Sequence, residues 1–436
     1  MRILALDVGT SSVKAAVLDA ATTQPVGPVA HVAYPLDFPT PDAAEVPAER
    51  LWEAVAAAGR QAAAGVEGVE GVGLSVLTPA LVLLDAADRP LLPIWTHLDR
   101  RARPAARQVW AAVGPEFLAT TGNRPLPGGM TAVCWKQIVR DSPYLHRRLH
   151  SYLHANGWLA LRLTGERAFD PGNASVTGLF HTLGDQQWSP RWCEYFEVPL
   201  SALPPVLDGT ATVGRLRSAA AAELGVPPGI PLKLGTADTT CAILAAGMAI
   251  GDLLHIIGTT QVVGVLTERP QPDPRRLTRR LGVGPLFLEV THNPVGGAAL
   301  TWLHELCFHD QSEEEFFGRT VPAALAHPTK VTLDPPFLGG DRLEIEAHRA
   351  AFRDLTLATT RLDLLAAVLQ AMRQQHYKAM AALGMGHQFR RVFLTGGGTE
   401  LLLHLIPEYA AGEVVPVEDG SLRGVARLFV PARGSP

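Results

Sequence analysis

The alternation of apolar and polar positions divides the chain into short strands and Ala-rich helices. "RILALDV" and "SVKAAVLD" read as two strands joined by a turn, because Val13, Ala15 and Val17 alternate with Lys14, Ala16 and Leu18. "PAERLWEAVAAAGRQAAA" has the period of an amphipathic helix, "GVGLSVL" that of a buried strand, and "ALVLLDAADRPL" that of a strand closed by an Asp-Arg-Pro turn. "SYLHANGWLALRLTGE" reads as a helix that stops at Gly165, the residue type expected just past a helix end. The Pro-rich "VPPGIPLKLG" leads into another strand, after which Asp238 opens a long Ala-rich helix. Then the pattern restarts. "DLLHIIGTTQVVGVL" is again strand, small hydroxyl-bearing turn and strand, roughly 250 residues after "LALDVGTSSVKAAVLD", which suggests an internal duplication. The most linker-like piece between the halves is "LTERPQPDPRRLTRR".

A length of 436 residues exceeds one ordinary core and predicts two domains. Hydrophobic content of 47% against 18% charged is that of a globular chain, and a net charge of −4 without a Lys/Arg block excludes a nucleic-acid footprint. Cys134, Cys193, Cys241 and Cys307 are dispersed with no C-x-x-C pair, which argues against a disulfide scaffold or a Cys-rich zinc site and fits a reducing cytoplasm. The start of the chain, with one basic residue and an early Asp7, predicts no secretory leader. The most apolar segment, "CAILAAGMAIGDLLHIIG", is broken by Gly251, Asp252 and His255 and is not expected to span a bilayer.

A strand–turn–strand tipped with Gly, Thr and Ser presents several backbone N–H groups to one side, and small residues let an anionic oxygen approach them closely. Thr10, Ser11 and Ser12 would add hydroxyl donors, and Lys14 a positive charge. Asp7 ends its strand, where a carboxylate facing a phosphate is repulsive unless a divalent cation lies between; Mg2+ suits such a place. Either turn taken alone reads first as a hairpin that simply reverses the chain; the two together favour a pair of phosphate clamps. A third glycine run, "VFLTGGGTE", follows a strand. No G-x-x-x-x-G-K-[ST] occurs and the glycine runs do not complete G-x-G-x-x-G, so P-loop and dinucleotide fingerprints are both missing.

Taken in order along almost the whole chain, these pieces resemble the FGGY carbohydrate kinases of the actin-like ATPase superfamily. "LALDVGTSSVKAAVLD" is similar to the family's first phosphate loop, and "GLSVLTPALVLLDAADRPLLPIWTHLDRRA" to the strand, hairpin and D-x-R segment near the sugar. "GGMTAVCW" and "GWLALRLTGERAFDPGNASVTGLF" resemble an insert of xylulokinase-like members. "LGTADTTCAILAAG" resembles the stretch with the catalytic Asp, and "IIGTTQVV" the second phosphate loop. "NPVGGAALTWL", "FLGGDRLEIEAHRAAFRDL", "LTGGGTE" and "EDGSLRGVARL" complete the match.

The resemblance implies an α/β chain of two RNase H-like domains, residues 1–246 for sugar and 247–436 for nucleotide, closing over a cleft that holds sugar and ATP–Mg2+. It makes Asp238 the general base and gives Asp7 the metal. Gly9, Thr10, Ser11, Ser12 and Lys14 would contact phosphates. Gly258, Thr259 and Thr260 would meet the transferred phosphoryl group, Gly297 the nucleotide, and Gly396, Gly397 and Gly398 the adenosine. Thr78 and Pro79 stand where xylulokinases carry Met-His, and they join Asp99 and Arg101 as expected sugar contacts. Asp99 and Arg101 serve equally as a structural ion pair, and Asp238 also sits where a helix N-cap would. Cys134 replaces the usual Lys after "MTA", and Thr239 the usual Asn after the base.

Three readings follow from these residues. The first is an ATP-dependent kinase for a ketopentose such as xylulose or ribulose. The second keeps the chemistry with another ketose or a polyol as acceptor. The third is a catalytically silent sugar- or nucleotide-binding protein, against which the two carboxylates Asp7 and Asp238 argue. A homodimer is expected by family analogy, and no membrane or nucleic-acid partner. "HELCF" lacks the second His of a zinc helix, and "WSPRWCEYF" without basic context reads as packing.

Overall fold

The computed structural model describes residues 1–258, 261–338, 340–385, 389–396, 399–417 and 419–430. Its first half is organised on a six-stranded sheet of β1 (Arg2–Val8), β2 (Ser12–Asp19), β3 (Pro25–Ala33), β4 (Val69–Val76), β5 (Thr212–Arg215) and β6 (Pro231–Ala237), in the order β3-β2-β1-β4-β6-β5. The second half carries another, of β7 (Leu253–Ile257), β8 (Gln261–Thr267), β9 (Leu277–Arg280), β10 (Phe287–Asn293), β11 (Arg391–Thr395) and β12 (Glu413–Pro416), in the order β9-β10-β8-β7-β11-β12. In each, an antiparallel three-strand meander continues through two parallel strands: β3-β2-β1 into β4 and β6, and β10-β8-β7 into β11 and β12. The duplication suggested by one pair of turns is therefore a duplication of topology.

Helices cover the sheets: α1 (Ala48–Ala63), α2 (Arg103–Thr121), α3 (Asp238–Ala246), α4 (Gly297–Cys307), α5 (Arg361–Ala382) and α6 (Gly420–Arg427). α1 buries Leu51, Trp52, Val55 and Ala58 on one face, as its period predicts. α5 starts from a reciprocal capping box of Thr360 and Asp363 and packs through Leu365, Val368, Leu369 and Met372 into the core of the second half.

Three expectations change. Ser151–His154 form a strand, not the first turn of the following helix, because all four residues are buried and pair with Ala80–Leu84; the helix is Ala155–Thr164, ended by left-handed Gly165. α3 is nine residues long, stopped at Gly247 in the left-handed region. The tail of the linker-like piece is β9, which pairs with β10.

α6 follows the last strand of the second sheet yet packs on the first half. Leu422, Val425, Ala426 and Leu428 share a buried cluster with Ile3, Ala5, Ala16, Leu18 and Cys241. The approach is close: a Cβ on Gly424 would lie 1.9 Å from the Cys241 carbonyl oxygen. Residues 341–346 of the second half also bond to the first, on and just after α2. Arg103 bonds Asp341 at 2.7 Å and the Ile345 carbonyl at 2.9 Å, Arg107 bonds Glu346 at 2.8 Å, and Arg124 bonds the Leu343 carbonyl and pairs with Glu344 at 3.4 Å.

Candidate active site

Both sheets aim the tip of their first hairpin at the cleft between the halves. Two cavities meet there. One, of about 340 Å3, is lined from the first half by Thr10, Thr78, His97 and Asp238, and from the second by Gly258, Arg279, His292 and Arg342. The other, of about 890 Å3, lies wholly in the second half and is lined by Gly258, Gly297, Trp302, Glu305, Phe317 and Leu401, among others. Gly258 borders both, so whatever occupies one reaches the other past the tip of β7–β8.

Asp238 is the first residue of α3, with Ala237 rather than Asp238 as the N-cap. Its Oδ1 accepts from the backbone N–H and the hydroxyl of Thr239, at 2.6 and 3.1 Å, and among the described residues nothing bonds its Oδ2. One oxygen is thereby fixed while the other keeps its capacity to take a proton from a ligand. A buried polar network supports this wall. Thr78 donates to Asn173 Oδ1 at 3.1 Å, Asn173 donates to Asp170 at 2.6 Å, and Asp170 accepts from Thr236 at 2.7 Å, two residues before Asp238. Asp170 also caps the short helix Pro171–Ser175. Arg279 completes the wall by donating to the Thr240 hydroxyl at 2.9 Å.

The first hairpin tip is closed by a Gly9 N–H to Ser12 carbonyl bond of 2.9 Å and braced by the Tyr34 hydroxyl, which donates to the Gly9 carbonyl. Asp7 lies behind it, 8% exposed, accepting from Ser75 at 2.7 Å and from Ser421 of α6 at 2.6 Å. Burial pushes its carboxyl up to about 6 against these two bonds, and Asp238 adds to the rise. An ionised Asp7 is thus short of positive charge. Lys14 supplies little, since its ammonium pairs with Asp419 at 2.9 Å. A hard divalent cation matches the donor set: carboxylate, hydroxyls and a second carboxylate nearby. Among the described residues no group of three His, Cys, Asp or Glu side chains could hold a metal alone. An ion here would therefore need ligands of its own, such as phosphate oxygens.

Thr10, Thr78, Pro79, Asp238 and Gly258 line the smaller cavity, and Gly258 and Gly297 the larger; Asp7, Gly9, Ser11 and Ser12 belong to the hairpin that carries Thr10. The Gly297 N–H donates to the Gly258 carbonyl at 2.9 Å. Gly396 follows β11 with φ +103°, and a Cβ there would lie 1.9 Å from the Ile257 carbonyl oxygen. Thr259, Thr260, Gly397 and Gly398 lie outside the described residues. Asp99 and Arg101 do not line the smaller cavity. Asp99 is fully buried and spent on Arg101 and the Ala44 N–H, and Arg101 stacks over Trp95 and bonds Glu45. Cys134 is buried too, its thiol pushed up to about 12 by burial.

Sequence reasoning gave no role to His97, Arg279, His292 or Arg342, all of which line the smaller cavity. Each was in plain view: His97 two residues before Asp99, Arg279 in "LTRR", Arg342 in "GGDR". Only the fold gathers them.

Comparison with known proteins agrees with this arrangement. Residues 2–245 match the N-terminal domain of the FGGY family of carbohydrate kinases, and residues 253–424 its C-terminal domain. The xylulose kinase of Rhodospirillum rubrum superposes with a TM-score of 0.87 at 26% identity, over 100% of this chain and 90% of that one. A putative sugar kinase of Bacillus subtilis (strain 168), YoaC, is 24% identical over 270 residues, which are 61% of this chain and 54% of the relative. An autoinducer-2 kinase of Yersinia enterocolitica is 27% identical over 293 residues, 64% of this chain and 53% of that protein. The match thus spans about half the length of these curated relatives. Among the described residues no helix is long and apolar enough to cross a membrane. With both domains matched in order and both duplicated sheets in place, the chain belongs to the FGGY family of carbohydrate kinases.

Proposed function

We propose that this chain is an ATP-dependent kinase that transfers the γ-phosphoryl group to a hydroxyl of a small carbohydrate of ketopentose size, with xylulose and ribulose as the neutral candidates. The carrying observation is Asp238, one oxygen held by Thr239 and the other unbonded among the described residues, in a cavity that adjoins a larger one at Gly258. The larger cavity has room and an aromatic wall at Trp302 and Phe317 for a nucleoside, and Gly258 and Thr10 would present backbone and hydroxyl donors to its phosphates. The likeness to the Rhodospirillum rubrum xylulose kinase supports the acceptor class.

In this mechanism the acceptor hydroxyl donates to Asp238, which takes the proton as the oxygen attacks in line. Asp7 would hold Mg2+ through its carboxylate, and the ion would supply charge neutralisation on the phosphates. Thr78 and the Asn173–Asp170–Thr236 network keep the base wall rigid. Cleft closure removes the water that would otherwise compete as acceptor.

The test is ADP release from ATP–Mg2+ over a panel of ketoses and polyols, with wild type and Asp238→Asn. Acceptor-stimulated turnover is expected for wild type and should fall about 10²- to 10⁴-fold in the variant. Full activity in the variant would remove Asp238 from the role of base. Acceptor binding without turnover in the wild type would favour a silent binding protein.

A further inference from the structure

The acceptor-side cavity carries more positive charge than a neutral sugar requires. Its charged lining is Asp238, Arg279 and Arg342: one carboxylate against two guanidiniums. Arg279 has an assigned neighbourhood, bonded to Thr240 and lying in the field of Asp170 and Asp238. Arg342 has none. Among the described residues no hydrogen bond or ion pair reaches its guanidinium, although burial pushes it down to about 10 and the nearby Arg100 adds to the fall. Asp238 acts on it more weakly than Arg100 does.

The acids beside Arg342 in sequence are already spent. Asp341 bonds Arg103 at 2.7 Å and also faces Arg100 at 3.6 Å, and Glu344 pairs with Arg124. This same strapping of residues 341–346 onto α2 fixes where Arg342 sits. His97 and His292 line the cavity beside it; the His97 Nδ1 and His292 Nε2 atoms are sealed from solvent, which leaves the other nitrogen of each ring, His97 Nε2 and His292 Nδ1, to face a ligand. Burial and the guanidiniums of Arg342 and Arg100 hold both imidazoles well below their ordinary range, that of His292 at about 3, so both rings are neutral at physiological pH. A neutral ring can donate one N–H to an anion.

We infer that Arg342, His97 and His292 form an oxyanion-binding corner for a carboxylate on the acceptor, so that the preferred acceptor is a small sugar acid. This rests on the kinase reading and specifies its acceptor class. Arg342 is half-buried with no bonded counter-ion among the described residues, and a carboxylate engages a guanidinium through two parallel N–H···O bonds that a hydroxyl cannot match. One acceptor carboxylate also brings the charge of the cavity lining to zero.

The experiment compares isosteric pairs that differ only in a terminal carboxylate or CH2OH. Calorimetric titration of the full chain, without nucleotide, uses D-erythronate, D-xylonate and D-gluconate against erythritol, xylitol and sorbitol, with D-xylulose as a neutral reference. At least one acid should bind ten times more tightly than its alditol and than D-xylulose, a preference lost in Arg342→Met and partly kept in Arg342→Lys. The wild-type comparison stands even if a variant misfolds. Equal binding within all three pairs overturns the inference. So does an Arg342→Met protein that keeps acid affinity but loses turnover with D-xylulose, because the guanidinium would then serve the transferred phosphoryl group. A failure of the kinase reading looks different: acids bind, yet no acceptor stimulates ADP release.

Discussion

At the tip of β1–β2 the second cross-strand pair from the turn is Asp7 with Lys14; at the matching place in β7–β8 it is Ile256 with Val262. The backbones repeat while the chemistry does not. The first tip has a buried carboxylate braced by Ser75 and by Ser421 from α6, and the second has an apolar wall facing the smaller cavity. Carboxylates on both tips would face a triphosphate with like charge from two sides, so duplication supplies two sets of N–H groups and only one copy can afford the acid. Charge work is assigned to the first hairpin and shape to the second.

Asp7→Asn should break this division most severely. Turnover is expected to fall on the order of a hundredfold with a weakened Mg2+ dependence, and adding Ile256→Asp should not restore it. Stability moves the other way. The Asp7 carboxyl is raised in the fold from 3.8 to about 6, so its protonated form stabilises the fold below pH 4 and that contribution is lost as pH rises towards 6. In metal-free buffer, denaturant unfolding at pH 8 should show Asp7→Asn more stable by up to about 3 kcal/mol, with no difference at pH 4.

Next in size is Gly396→Ala at the other tip's support. A left-handed backbone and a Cβ 1.9 Å from the Ile257 carbonyl oxygen should cost about 2 kcal/mol or more in a melt, and should raise the KM for ATP more than that for the acceptor. Ser421→Ala removes one of the two donors to Asp7 and should cost about 1–2 kcal/mol at pH 8, shrinking below pH 4 where the carboxyl is protonated in folded and unfolded chains alike. The smallest effect belongs to Arg107→Ala on the α2 strap. Its pair with Glu346 is half exposed, and its loss should change stability by no more than about 0.5 kcal/mol and leave both KM values unmoved. A larger shift would mean that the strap, and not the hairpin tips, sets the cleft geometry.

What the sequence disclosed was local: a strand that ends in a carboxylate, a glycine–hydroxyl turn, a strand that delivers Asp238 to a helix start. These follow from two-residue periods and turn chemistry that neighbours in sequence determine. What it withheld was long-range. Arg342 lies about a hundred residues after Asp238 in a segment without regular structure, and its meaning comes from acids that other arginines consume. Asp99 and Arg101 kept two readings open until burial and the Ala44 N–H decided where they sit. The strand Ser151–His154 was hidden because four buried residues fit a helix as well as a strand until a partner strand pairs with them.

The chain passes between its halves twice, once from α3 to β7 and again from β12 to α6. A lobe tethered at a single point could swivel and twist; one hung on two pins, like a door, can swing only about the line that joins them. Opening and shutting of the cleft should therefore follow one fixed arc. Each stroke would carry Ser421, mounted beside the pivot, through only a small displacement.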